Sequence, residues 1–425
     1  MDRQRVVIVG AGFAGVHAAR ELSKLDVEVV IVNPTDYFLY LPLLPEVTAG
    51  ILDPRRVSVA LRIAAPGARL RLGKVDDVDL TGRKVSLVDP EGNRQHIGYD
   101  RLLITAGSVN KLLPVPGVAE HAHGYRSIAE ALYLRDHLVR QIELADSADT
   151  QTERDARCTF VVVGAGYTGT EVAAQGQLLT RALAQRFPQL RDQPIRWLLL
   201  DLAPRVLPEL ARGLSKTAHR TLSRRGVEIR TGTSVDEAMP DGVRLSDGQF
   251  VPTRSLVWCV GVRPDPLVEQ LDLPMQRGRL TVDEYLTVPD YPDFFACGDI
   301  AAVPDLTRPG ELTGMTAQHA ERQGRTAANN IAASLGHGER RPYRHRDLGF
   351  VVDLGGAKAA ANPLGVPLSG IVAKAVTRGY HLLALPSNRV RIASDWVLDA
   401  VLHRQAVQFG LVRGTAVPLD TSQSD

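Results

Sequence analysis

Two stretches of this chain join an apolar strand to three glycines at matched spacing. Residues 6–15 read VVIVGAGFAG, with Gly10, Gly12 and Gly15 following Val6–Val9. Residues 160–171 read FVVVGAGYTGTE, with Gly164, Gly166 and Gly169 following Phe160–Val163. Each reads as strand, tight turn and helix. The glycines permit the turn and let the backbone approach a phosphate, while the helix start offers N–H groups and a positive dipole end. One such loop is weak evidence. Two, each set between a strand and a helix, point to two dinucleotides on one chain. The second copy adds Glu171 just inside its helix. A carboxylate is disfavoured beside a pyrophosphate, so Glu171 is expected to face something else.

In a dinucleotide site the residue ending the next strand bonds the ribose hydroxyls. After the first loop, the strand predicted over Val27–Val32 ends at Asn33, which can donate and accept but carries no charge where Asp or Glu is usual. After the second, a strand over Trp197–Leu200 ends at Asp201. That is further from Gly169 than the roughly 20 residues of a minimal unit, so an extra turn or helix must intervene. Asp201 can bind both hydroxyls and would repel a 2′-phosphate, which favours NADH over NADPH. Arg205 is the counter-signal, since an arginine there can accommodate that phosphate.

Further strands end in glycine: Arg101–Thr105 runs into Gly107, and Leu256–Gly261 reads LVWCVG. FFACGDI at Phe294–Ile300 reads as a strand, then Asp299, then small residues opening a helix. A helix over Met315–Ile331 has its start marked by Thr316.

These elements must be positioned by an α/β fold. We expect two Rossmann-like dinucleotide-binding domains, the second inserted in the first, and a C-terminal α+β segment. The boundaries read 1–125 and 266–335 for the first domain, 126–265 for the second and 336–425 for the C-terminal part. Pro42 and Pro45 argue against a regular element over Tyr37–Leu44, an apolar stretch suited either to lining a cofactor cavity or to packing as a core loop. His121 and His123 read as solvated residues of a linker over 108–124, and Thr415–Asp425 as a frayed tail.

Composition narrows the function classes. A chain of 425 residues can bury two or three cores. Net charge is +2 and aromatics are 5%, with no aromatic–basic interleaving, so nucleic acid is not an expected partner. No apolar run reaches the roughly 18 residues of a membrane span. A first strand at Val6 leaves no room for a signal peptide, and a cytoplasmic location is expected. Cys158, Cys259 and Cys297 are isolated in apolar runs, which reads as three core thiols rather than a disulfide relay or a metal site.

The paired loops, TAG at Thr105–Gly107, WCVGVRP at Trp258–Pro264 and ACGD at Ala296–Asp299 resemble the two-dinucleotide flavoprotein reductases. TGTE at Thr168–Glu171, TAQHAERQG at Thr316–Gly324 and GYHLLALPSNRVRIASDW at Gly379–Trp396 are similar to the type II NADH dehydrogenases, single-chain NADH:quinone oxidoreductases that do not pump protons. The resemblance spans almost the whole chain. It implies a resident FAD held by Gly10, Gly12, Gly15, Asn33, Gly107, Asp299, Ala317 and Gln318. It implies an exchanging NADH held by Gly164, Gly166, Gly169, Asp201 and Gly261. Glu171 and Gln318 would carry the catalysis, Glu171 by positioning the nicotinamide and affecting proton exchange. Gln318 and Gln323 would lie near the quinone. Asp299 would sit near a helix start, where its charge is favoured. Residues 371–413, with Lys374, Arg378, Arg389, Arg391, Arg404 and Arg413, would face a membrane surface, placing the protein peripherally on the inner face of the cell membrane. A helix pair packing on the body or across a homodimer fits the same segment. A reductase of a protein carrier or of a specialised small molecule, and a flavin-based redox sensor, are the other classes in play.

Overall fold

The structure, a computed structural model, describes residues 3–345, 348–402 and 404–420. The chain divides into two units. The first comprises Met1–Leu39, Ser58–Val109 and Val262–Asp347; the second comprises Tyr40–Val57, Asn110–Gly261 and Leu348–Asp425.

The first unit is built on a six-stranded sheet. Its order is Thr287–Val288, Tyr291–Ala296, Arg101–Ile104, Arg5–Val9, Glu28–Asn33 and Arg69–Leu72. All pairings are parallel except the first, which is antiparallel. Parallel strands are buried on both faces and so read as continuous apolar runs, as Val6–Val9 does. The helices Phe13–Leu22 and Ala317–Ser334 pack so closely that a Cβ on Gly324 would lie 2.2 Å from the Ala14 carbonyl oxygen. An antiparallel meander of Lys74–Asp79, Lys84–Val88 and Arg94–Gly98 completes this unit's larger elements.

The second unit repeats the plan with a five-stranded parallel sheet. Its order is Ala122–His123, Leu256–Trp258, Thr159–Val163, Arg196–Asp201 and Val227–Thr231. The helices Ile128–Asp146 and Tyr167–Ala184 accompany it, the former opened by a reciprocal capping box of Ser127 and Glu130. Trp197 stacks on Phe160 with ring centroids 4.8 Å apart. Opposite its ring stands Gly176, where a Cβ would come within 2.2 Å of it. A small antiparallel sheet of Val351–Asp353, Ala359–Ala361 and Leu368–Ser369 leads into the helices Gly370–Ala384 and Arg389–Val401.

The fold corrects four local expectations. The stretch after Tyr37 is regular: strand Tyr37–Leu39, a 3-10 turn Leu41–Leu43 and helix Leu44–Thr48. Both prolines stand in first turns, where the missing N–H costs nothing. No helix starts at Asp299; Gly298–Ile300 is a turn into the short strand Ala301–Ala302. His123 is not solvated. It lies in a strand, its ring 5.0 Å from Tyr133 and 4.7 Å from His137, and burial pushes its pKa down to about 4. The tail is pinned at least as far as Leu419, which is 2% exposed in the core of the second unit; residues 421–425 lie outside the described residues.

Candidate dinucleotide loops and a buried acid cluster

Both glycine loops have the geometry their spacing predicts. Gly10 and Gly164 take φ of +96° and +102°, a region L-residues avoid. A Cβ on either would meet backbone: the Thr105 carbonyl oxygen at 2.5 Å, or the Cys259 carbonyl oxygen at 2.2 Å. The third glycines let each helix sit against its loop, since a Cβ on Gly15 or Gly169 would lie 2.0 or 1.9 Å from the Gly10 or Gly164 oxygen. The middle glycines, Gly12 and Gly166, are the N-caps, and a Cβ there would meet nothing within 4 Å. Each helix thus begins with bare backbone beside open space, the surface a pyrophosphate needs. The residues present fit a dinucleotide at each loop.

The strand-end residues brace these loops. Asn33 Oδ1 accepts from the Ala11 N–H at 2.9 Å, and its Nδ2 donates to the Thr35 carbonyl at 2.8 Å. Asp201 Oδ2 accepts from the Ala165 N–H at 2.5 Å and Oδ1 from the Ala203 N–H at 2.7 Å. The first unit therefore does with an amide what the second does with a carboxylate. Arg205 turns into its own loop, donating to the carbonyls of Leu210 at 2.7 Å and Pro208 at 2.5 Å. Gly107 and Gly261 both have positive φ and open space over Cα.

In the first unit, Asp299 Oδ2 accepts from the Ser108 hydroxyl at 2.6 Å. Gln323 is 1% exposed; its Oε1 accepts from the Gly298 N–H at 2.8 Å and its Nε2 donates to Thr313 Oγ1 at 2.9 Å. That amide ties the helix Ala317–Ser334 to the turn carrying Asp299. Gln318, one residue past Ala317 and partly buried, meets His345 Nε2 through Oε1 at 2.9 Å. The Thr316 hydroxyl caps this helix by accepting from the His319 N–H.

In the second unit, Glu171 Oε1 accepts from the Asp353 N–H at 2.8 Å. The Asp353 carboxylate pairs with Lys374, whose Nζ also lies 3.7 Å from Glu46 Oε1. Trp396 Nε1–H donates to Glu46 Oε2. Burial, with Asp353 adding repulsion, pushes Glu46 up to about 7. Burial also raises Glu171 well above the carboxylate range, with Asp353 and Glu46 adding to it. Lys374 is thus buried in an ion pair, not presented to a membrane. The sequence reading passed over Glu46 and Asp353. Their signal was a charge inside an apolar run, LPLLPEV and FVVDL, matched by a lysine inside IVAKAV. Such charges persist only when paired.

Cys158 and Cys297 are core residues, and Cys259 is half-buried. Burial pushes Cys158 and Cys259 up to about 12 and Cys297 higher still, so none is a ready thiolate. No group among the described residues has the makings of a metal site.

Residues 4–324 match the family model described as pyridine nucleotide-disulphide oxidoreductase. The type II NADH:quinone oxidoreductase Ndh of Mycobacterium tuberculosis is 32% identical over 95% of this chain and 89% of its own. An internal alternative NAD(P)H-ubiquinone oxidoreductase of Solanum tuberosum mitochondria is 28% identical, covering 95% of this chain and 88% of its own. The solved structure of NDH2 from Plasmodium falciparum in complex with NADH superposes with a TM-score of 0.88, at 17% identity, over 95% of this chain and all of that one, which shows a shared fold. The chain belongs to the pyridine nucleotide-disulphide oxidoreductase family and, within it, to the type II NADH:quinone oxidoreductases.

Proposed function

We propose that this protein oxidises NADH and delivers the two electrons through a bound FAD to a quinone. The observation that carries the reading is the duplicated glycine loop, one in each unit, in a chain whose three cysteines form no disulfide. A bound flavin supplies reversible uptake of a hydride and its release as electrons.

The residues divide the work by unit. Gly10, Gly12 and Gly15 admit the FAD pyrophosphate to the helix start, with Asn33 bracing the loop. Gly107, Asp299, Ala317 and Gln318 hold the flavin side, and Gln323 keeps the Asp299 turn in register with its helix. Gly164, Gly166, Gly169 and Gly261 admit NADH. Asp201 bonds the adenosine ribose and repels a 2′-phosphate, so NADPH is the poorer donor; Arg205 is committed to its own loop carbonyls. Glu171, on the helix the NADH loop opens, orients the nicotinamide and exchanges a proton. Gln318 presents its amide toward the quinone, oriented by His345.

The helices Gly370–Ala384 and Arg389–Val401 expose Ile371, Leu383, Val390 and Val401, each at 70% or more. These apolar side chains support docking on a membrane surface that carries the quinone, and a homodimer would cover the same face. No helix among the described residues is long and apolar enough to cross a membrane.

Adding NADH to the purified holoprotein should bleach the flavin absorbance, and a short-chain quinone should restore it. A flavin that NADH leaves oxidised would overturn the reading. Recovery only with a protein carrier, in the presence or absence of lipid, would reassign the acceptor.

A further inference from the structure

Two carboxyl groups, those of Glu46 and Asp353, face one ammonium inside the second unit, and a third, that of Glu171, is bonded to the backbone of Asp353. Glu46 comes from helix Leu44–Thr48, Asp353 from strand Val351–Asp353, Glu171 from helix Tyr167–Ala184 and Lys374 from helix Gly370–Ala384. Glu46, Asp353 and Lys374 are 3%, 8% and 5% exposed. Lys374 touches the Asp353 carboxylate and approaches Glu46 to 3.7 Å. The Asp353 backbone carries the contact on to Glu171 at 2.8 Å. Complete ionisation would leave three negative charges against one positive in a desolvated space, a state that like-charge repulsion and desolvation both oppose.

The other groups facing this cluster leave that imbalance in place. His381 is bonded to the Tyr40 hydroxyl at 3.1 Å, and burial pushes its ring down to about 4, so it is neutral. Tyr125, bonded to Thr48, is held protonated by burial. Arg225 donates to the Leu354 and Gly355 carbonyls, Arg378 lies over the Trp396 ring and Arg404 pairs with Asp399.

We propose that Glu46 and Glu171 share protons beside the Asp353–Lys374 ion pair, and that the charge on Glu46 sets whether Glu171 holds a proton during turnover. This rests on the reading of Glu171 as the acid beside the nicotinamide. Glu46 is a positioning residue in the electrostatic sense and needs no contact with substrate. A negative Glu46 raises the proton affinity of Glu171, and a protonated Glu46 lowers it. Turning NADH and a quinone into NAD⁺ and a quinol consumes one proton beyond the hydride; when Glu171 supplies that proton, Glu46 takes one up from solvent. One proton leaves the cluster, one enters, and its net charge is unchanged.

Glu46→Gln keeps an acceptor for Trp396 and removes the titration. Two readouts need no turnover. The infrared titration of the holoprotein should lose a protonated-carboxyl band in the variant. Stability should also change its pH dependence. Glu46 is raised in the folded state from 4.5 to about 7, so its contribution is complete below 4.5 and is lost as pH rises through about 7. That slope should vanish in Glu46→Gln.

In the NADH half-reaction, the pH limb due to Glu171 should move down by about one unit in Glu46→Gln and up in Lys374→Met, the scale of one close charge pair. Lys374→Arg should restore it. Opposite shifts are not what a packing defect produces. If Lys374→Met does not fold, Glu46→Gln and Lys374→Arg still decide the matter. An unchanged band and an unchanged stability slope in Glu46→Gln would overturn the proposal. A Glu171→Gln enzyme with an unaltered profile would instead remove the role of Glu171, while the band and slope continue to test proton sharing.

Discussion

The N–H of Asp353 donates to Glu171 Oε1 at 2.8 Å, joining residues 182 positions apart. A strand of the C-terminal segment is thereby fixed to the helix that the second glycine loop opens. Glu171 is aimed by a backbone donor while burial and neighbouring carboxylates favour its protonated form. Glu171→Gln retains an acceptor for that N–H and cannot titrate. The variant should bind FAD normally and melt near the parent. Its reduction by NADH should slow by about 10²-fold, the ordinary scale of a lost proton-transfer group, and lose its pH limb. Stopped-flow flavin absorbance across pH checks this. Glu171→Ala reacting at the parent rate would remove the assignment.

Asp201 holds two backbone donors, one on each oxygen. Asp201→Asn keeps the shape but removes the charge and turns one of the two acceptor oxygens into an NH2 donor facing a backbone N–H. Loss of a charge-assisted bond is worth about 1.5–3 kcal/mol, or roughly a 10- to 100-fold rise in the KM for NADH. The repulsion of a 2′-phosphate falls at the same time. The NADPH-to-NADH ratio of kcat/KM should therefore rise, with FAD content unchanged. Steady-state kinetics with both donors measures it.

Both glycine loops were legible because their steric demands are local. The positive φ at Gly10 and Gly164 and the close approaches at Gly15 and Gly169 each exclude a side chain, so spacing alone reports the geometry. The ends of the second sheet's central strands were legible from unbroken apolar runs. The acid cluster was not, because Glu46, Glu171, Asp353 and Lys374 are brought together by tertiary packing, and no spacing rule links them. His123 was misread for a related reason: loop-like prolines and glycines surround it, yet its strand pairs with Val257 at the sheet edge. The expected helix after Asp299 failed because small residues suit a buried two-residue strand as well as a helix start.

Gly169→Ala tests the second loop separately from the first. The new Cβ would lie 1.9 Å from the Gly164 oxygen, a contact that only a shift of the loop or helix can relieve. NADH binding should weaken at least tenfold. The FAD spectrum should persist, since the first loop is untouched. Gly15→Ala should do the reverse and yield protein depleted of flavin. Equilibrium titration with NADH and the flavin-to-protein absorbance ratio distinguish the two.

Replacing Cys158, Cys259 and Cys297 together by alanine should leave the NADH half-reaction and quinone turnover within about threefold of the parent. Burial holds Cys158 and Cys259 near 12, so neither is a thiolate at neutral pH. The native protein should also resist thiol alkylation until it is unfolded. Loss of flavin reduction in the triple variant, with the fold intact by circular dichroism, would show a thiol in the electron path.

Leu419 lies 2% exposed against Val118, Ala238 and Leu245 of the second unit's core. Its Cδ1 stands 3.1 Å from where a Cβ on Gly124 would be, so the pocket is closely fitted on that side. Removing its side chain loses transfer energy and leaves a cavity that the rigid strands around it fill poorly. Leu419→Ala should cost about 2–5 kcal/mol in the unfolding of this unit, with a lower Tm. Leu419→Met, which conserves volume, should cost less than about 1.5 kcal/mol. A tail that merely frays would show no difference between the two, so parallel thermal melts of both variants decide whether the C-terminus is a structural part of the nucleotide-binding unit.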